Sequence, residues 1–137
     1  MAGVGYSGTP LAKKLGFKSP LKVLTIHAPK GYVSWLGGLP EGVKLVTNAK
    51  PPVDAAHLFV TDSNELDALL SKLRNELKQD GFLWVSWYKK SATMQTDITE
   101  DVIREIALPL GFVDVKVCAV SKQWSGLKLV IRKSERR

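Results

Sequence analysis

The polar and aromatic residues that could do chemistry stand at the ends of apolar runs. His27 closes the run Leu21–Ile26 and opens the turn Ala28-Pro29-Lys30-Gly31-Tyr32. An imidazole there could act as a base or hydrogen-bond a phosphate, and Lys30 could neutralise one. Asn48 follows the next apolar run, Asp62 the third, and Trp87, Lys89 and Lys90 the fourth. Lys122 and Trp124 sit at the turn of a terminal hairpin. Cations interleaved with aromatics can hold a phosphate or a planar anion. The structural alternative is a solvated basic rim with the aromatics packing a sheet. His27 equally suits a hydrogen bond to a loop carbonyl, and as a catalytic group its acidic partner would be Asp62 or Asp97.

Other reactive types lack the company they need. His57 opens the third strand, at the opposite edge from His27, so the two histidines do not form a metal site. One cysteine and two separated histidines also argue against structural zinc. Cys118 lies mid-strand with no histidine neighbour in the pattern, a poor setting for a nucleophile. Ser86 and Ser125 have no G-x-S-x-G context. Lys89-Lys90-Ser91 has no preceding glycine loop of Walker type. Asp97 and Glu100 read as a capping box, and so as helix geometry.

The elements that must position these residues follow from periodicity. Thr9-Pro10 starts a short helix with Leu11 and Leu15 on one face and Gly16 at its end. Leu21–Ala28 is the first strand, apolar with little alternation, as expected when both faces are covered. A second short helix covers Tyr32–Leu36, stopped by Gly37-Gly38. Val43–Ala49 and Ala56–Thr61 are the next strands. Leu66, Leu69, Leu70, Leu73 and Leu77 then make one helical stripe, capped by Asp62 or Ser63 and ended by Asp80-Gly81. Phe82–Tyr88 is the fourth strand, and Lys89–Thr96 a polar loop. Ile98, Val102 and Ile106 form the stripe of the last helix, stopped by Pro109 and Gly111. Phe112–Val120 and Leu127–Arg132 form a hairpin across Ser121-Lys122-Gln123. Strands joined through helices imply an α/β domain whose sheet is mainly parallel with helices on both faces. Ligands of such sheets bind at the carboxyl ends of the strands, which is where the residues above gather.

At 137 residues the chain suits one domain, Met1–Arg137, with a core that needs no disulfide or metal. The single cysteine fits a reducing compartment, and Met1–Pro10 lacks the pattern of a signal peptide. No apolar run is long enough to span a membrane. A cytoplasmic protein is therefore expected. The net charge of +7 is either solubility with a basic tail or the footprint of an anionic partner. Lys13, Lys14, Lys18, Lys22 and the tail Arg132–Arg137 fall toward the amino edge of the sheet, the candidate face for RNA or DNA.

From the first strand onward the chain resembles a trimmed class I S-adenosylmethionine-dependent methyltransferase. Leu77-Lys78-Gln79-Asp80-Gly81-Phe82-Leu83-Trp84-Val85 is similar to that family's helix, glycine turn and inner strand. Leu110-Gly111-Phe112-Val113, through Leu127-Lys128-Leu129-Val130-Ile131-Arg132-Lys133, is similar to its closing hairpin. The whole chain more closely resembles a small bacterial family of methyltransferase-like proteins without assigned activity. Tyr6-Ser7-Gly8-Thr9-Pro10-Leu11-Ala12-Lys13-Lys14-Leu15-Gly16, Thr96-Asp97-Ile98-Thr99-Glu100-Asp101-Val102 and Trp124-Ser125-Gly126-Leu127-Lys128-Leu129-Val130 carry that likeness. The resemblance implies a Rossmann-like three-layer sandwich with strand order 2-1-3-4-6-5 and strand six antiparallel.

The same resemblance implies a glycine-rich cofactor turn after strand one and an acidic ribose-binding residue after strand two. Here the first position reads His27-Ala28-Pro29-Lys30-Gly31, where Pro29 removes a backbone donor, and the second reads Thr47-Asn48-Ala49. The expected function is a non-catalytic binding domain, without S-adenosylmethionine, for a small anionic ligand or a protein partner. The alternatives are an S-adenosylmethionine-dependent methyltransferase with a degenerate site, and nucleic-acid binding through the basic edge.

Overall fold

A computed structural model describes residues 9–137. Tyr6, Ser7 and Gly8 of the first family-like stretch lie outside the described residues. Six strands form one sheet: β1 (Leu21–Ile26), β2 (Val43–Val46), β3 (Val53–Phe59), β4 (Leu77–Tyr88), β5 (Phe112–Ala119) and β6 (Trp124–Ile131). Their order is β2-β1-β3-β4-β6-β5. β1 is parallel to β2 and β3, β3 is parallel to β4, and β6 runs antiparallel to both β4 and β5. The expected α/β fold class, strand order and antiparallel sixth strand are thus those of the molecule.

Among the described residues, four α-helices cover the sheet: α1 (Leu11–Lys14), α2 (Tyr32–Trp35), α3 (Ser63–Glu76) and α4 (Glu100–Ala107). Alternation in β3 splits the core between the two faces. Ala56 and Leu58 pack with Leu66, Leu70 and Leu73 of α3 and Ile103 of α4. Ala55 and Phe59 pack on the other side with Leu11, Leu15, Tyr32 and Leu36 from the α1–α2 segments. The leucine stripe of α3 is core, as its spacing indicates. Asp62 caps α3 by accepting from the Glu65 amide at 3.1 Å.

Several element ends differ from the sequence pattern. Pro10, not Thr9, is the N-cap residue of α1, while Gly16 takes the left-handed conformation expected of it, with φ +80°. β3 starts at Val53, directly after Pro51-Pro52, so His57 falls in mid-strand rather than at its start. β4 starts at Leu77, because that residue leaves the helix for an extended conformation and pairs with Val53. Asp80-Gly81 therefore lies within the strand and does not end the helix. β6 starts at Trp124, so the hairpin turn is held to the residues around Ser121, whose hydroxyl accepts from the Gln123 and Trp124 amides. Thr99 caps α4 through the Val102 amide. Asp97 instead accepts from the amide and hydroxyl of Ser63, tying its loop to the start of α3.

Leu70 is fully buried between α3 and the sheet. Leu70→Ala is expected to lower unfolding stability by about 2–5 kcal/mol, read from the midpoint and slope of a urea titration.

Candidate functional site

β1 delivers His27 to the carboxyl edge of the sheet in a left-handed conformation, φ +60°. Its ring Nε2 lies 3.0 Å from Glu65 Oε2 in the first turn of α3. The pair bridges the crevice between the loops after β1 and β3, with side chains 60% and 40% exposed. The partner is Glu65, not the expected Asp62 or Asp97. Both carboxylates are already engaged, Asp62 as a cap and Asp97 by Ser63. Hydrogen bonding to Ser63 also holds the Asp97 carboxyl below the usual carboxylate range.

Gly31 lets the Trp35 indole lie against the backbone of the turn, and a larger residue there would displace that ring. A Cβ there would stand 2.7 Å from Trp35 Nε1, so the backbone is close to the indole and not to an open loop. Tyr32 turns inward and is buried. Its hydroxyl lies 2.7 Å from His57 Nδ1, and His57 Nε2 lies 2.7 Å from Ser86 Oγ. His57 also stacks on Phe59, with ring centroids 4.4 Å apart. A neutral imidazole has one donor and one acceptor nitrogen, which this pair of hydroxyls matches. Burial pushes the His57 pKa down to about 3, and drives that of the Tyr32 hydroxyl well above its ordinary value. A serine against a histidine is a nucleophile arrangement in an open site. Here both residues are fully buried, so no substrate reaches Ser86 and the trio holds α2 to the sheet.

The remaining expected site residues divide. Lys30 is exposed in the turn before α2. Asn48 does not join the His27 edge. After β2 the chain doubles back, and Asn48 lines a cavity of about 280 Å³ with Lys22, Ala49, Lys50, Pro52, Val53 and Asp54. Trp87 is core on the α3 side, not a rim aromatic. Trp124 is also buried, stacked on Tyr88 at 3.9 Å and edge-on to Phe59 at 5.0 Å. The Lys89 amide donates to the Gln123 carbonyl at 2.8 Å, which joins the loop after β4 to the hairpin turn. Lys90 opens the 3-10 turn Lys90–Ala92.

That junction leaves a cavity of about 420 Å³ lined by Trp35, Ser91, Ala92, Ser121, Lys122 and Gln123. Trp35 and Glu65 are the site residues that the sequence pattern passes over. Trp35 closes a four-residue helix, and Glu65 reads as a helix-start carboxylate, so neither signals a ligand.

Two of the expected amino-edge cations, Arg132 and Arg136, use their guanidinium groups within the protein, as does the neighbouring Lys78 ammonium. Lys78 pairs with Asp54 at 2.7 Å, and the same carboxylate accepts from the Lys22 amide. Arg132 and Arg136 donate to main-chain carbonyls. Among the described residues no three His, Cys, Asp or Glu side chains come together as metal ligands. Cys118 is half-buried, and burial pushes its thiol up, away from the thiolate. No helix among the described residues is long and apolar enough to cross a membrane.

This sheet order with a parallel core and one antiparallel strand decides the fold class. The chain has the class I methyltransferase fold. A type 11 methyltransferase-like protein of Sulfolobus solfataricus superposes with a TM-score of 0.66 at 15% identity, covering 93% of this chain and 92% of that one. A SAM-dependent methyltransferase from Aquifex aeolicus gives 0.59 at 16%, covering 88% and 87%. The 1,6-didemethyltoxoflavin-N1-methyltransferase of Burkholderia thailandensis, with S-adenosylhomocysteine bound, gives 0.59 at 15%, covering 90% and 75%. No family model matches the chain, and no curated protein sequence matches it.

The buried histidine makes the fold acid-sensitive. An unfolded imidazole takes up a proton near pH 6.5, and the folded one only near 3, so unfolding binds a proton between those values. Stability is full above about pH 6.5 and falls on acidification, with a slope approaching 1.4 kcal/mol per pH unit. His57→Gln is expected to be less stable at neutral pH and to lose that slope between about pH 6 and 5, in urea melts across pH.

Proposed function

We propose that the chain is a binding domain on the methyltransferase fold that takes a small, planar anion rather than transferring a methyl group. The observation that carries this reading is the His27–Glu65 pair. It occupies the mouth between β1 and β3, where the resemblance implies a glycine turn open to the cofactor. Two further features support it. Pro29 removes an amide from that turn. The chain also turns back after β2, so Asn48 lies away from the edge where a ribose-binding residue would stand.

The ligand site in this reading is the cavity between α2, the Lys90–Ala92 turn and the hairpin. Its volume of about 420 Å³ suits a small molecule. The Trp35 indole offers a planar face, Lys122 a cation, and Ser91, Ser121 and Gln123 hydrogen-bonding groups. A phosphate-bearing aromatic compound of nucleotide size fits that chemistry. The narrower likeness to bacterial proteins without assigned activity, and a cytoplasmic setting, belong to the same reading.

A second reading is favoured by the neighbours: several were solved with S-adenosylmethionine or S-adenosylhomocysteine, on this fold. In that reading the His27–Glu65 pair opens to admit the cofactor. A solvent-exposed polar contact of this kind is worth only about 0–1 kcal/mol, so opening it costs little.

Calorimetric titration separates the two. We expect no saturable heat with S-adenosylmethionine or S-adenosylhomocysteine, and saturable binding of adenosine diphosphate that Trp35→Ala abolishes. A dissociation constant for S-adenosylmethionine in the low micromolar range overturns the first reading in favour of the second. Adenosine diphosphate binding unchanged by Trp35→Ala removes the cavity from it.

A further inference from the structure

We propose that Lys14, Lys18, Lys116 and Lys128 form a surface for the phosphate backbone of a nucleic acid. It lies away from the carboxyl-edge cavity and does not depend on what binds there. Lys116 and Lys128 are register partners on β5 and β6. Lys116 Nζ donates to the Lys14 carbonyl at 3.3 Å, which brings β5 against the end of α1. Lys128 Nζ stands 4.7 Å from the Phe82 ring centroid and 3.7 Å from where a Gly16 Cβ would be. Lys18 follows two residues later in the same segment and is exposed. The Leu15 carbonyl accepts from Trp84 Nε1 at 2.9 Å, so this segment is pinned to the sheet.

No carboxylate lies within ion-pair distance of any of these lysines among the described residues. The acidic residue of β5, Asp114, is held by Arg104 of α4 on the other face. Elsewhere, among the described residues, Arg74 is paired with Glu135, Lys78 with Asp54, and Arg104 with Glu100, Asp101 and Asp114. Here like charges gather without a counter-charge. Burial first, and then Lys116 and Lys18, depress the Lys128 ammonium. A bound polyanion relieves that repulsion.

The layout favours a repeating anion over a single one. The charges spread over two strands and a loop, and none of the four lines a described cavity. A lipid surface would ask for an apolar side chain to insert beside the cations. Beside Lys14 and Lys18 the apolar residues Leu11, Ala12, Leu15 and Phe17 are all buried, and beside Lys116 the exposed apolar residues are the short valines Val115 and Val117, with no aromatic or leucine side chain to insert. Lysines spaced on adjacent strands can instead follow successive phosphates, without base readout.

The test is fluorescence anisotropy with a labelled random-sequence oligonucleotide, as single strand and as duplex, at several salt concentrations. With four phosphates neutralised, the slope of log K against log salt should be about −3 to −4. Lys14→Glu with Lys116→Glu should weaken binding by about tenfold or more and flatten the slope by about two. The control, Lys50→Glu with Lys72→Glu, also takes the charge from +7 to +3 by removing four units, but at exposed positions in the loop before β3 and on α3. It should leave most of the affinity in place. Thermal melts check that each variant folds, and Lys14→Gln with Lys116→Gln replaces the reversal pair if that unfolds. The proposal is overturned by absence of binding at low salt, by equal losses in both pairs, or by preferential binding to phosphatidylserine vesicles with the same lysine dependence.

Discussion

A histidine ring in the middle of a sheet, fully shielded from bulk solvent, constrains most of what surrounds it. Desolvation keeps His57 neutral, and each ring nitrogen needs a partner that burial cannot remove. Ser86 supplies one from the neighbouring strand, and Tyr32 the other from α2. The Tyr32 bond fixes where α2 sits, and with it the turn from His27 to Gly31. The shape of the carboxyl edge is thus set from inside the core. Trp84 plays the matching role on the same face, because its indole holds the Leu15 carbonyl and with it the segment after α1.

This anchoring explains how so short a chain builds the α1–α2 face. α1 and α2 are four residues each, too short to be stable helices by themselves. They are held by side chains that reach the sheet, and they bury Leu11, Leu15, Tyr32 and Leu36 against β1 and β3. The opposite face is ordinary helix packing by α3 and α4. The polar bonds therefore concentrate on the thin face, where apolar area is scarce. Both proposed surfaces border that face, one against Trp35 and one beside Gly16.

Much of the architecture could be read from the chain. The α3 stripe, its Asp62 cap, the unbroken apolar strands and the hairpin follow from local periodicity and capping chemistry. The element ends could not. Leu77 fits the helical stripe as well as it fits a strand, and pairing with Val53 decides for the strand. Asp97 and Glu100 have the spacing of a capping box, but Thr99 is the residue in position to cap, and Asp97 is taken by Ser63. The aromatics Trp87 and Trp124 looked like rim residues only because their faces of the sheet were unassigned.

The sequence by itself determined the α/β class, the order of elements and the absence of a glycine-rich turn after β1, because these rest on local composition and period. Only the tertiary structure decided which polar residues meet. His27 meets Glu65, Tyr32 and Ser86 meet His57, and Lys116 meets the end of α1, across separations of tens of residues. Such pairings depend on strand register and on which face each residue takes. A shift of one residue in either reverses them, so no local pattern encodes them.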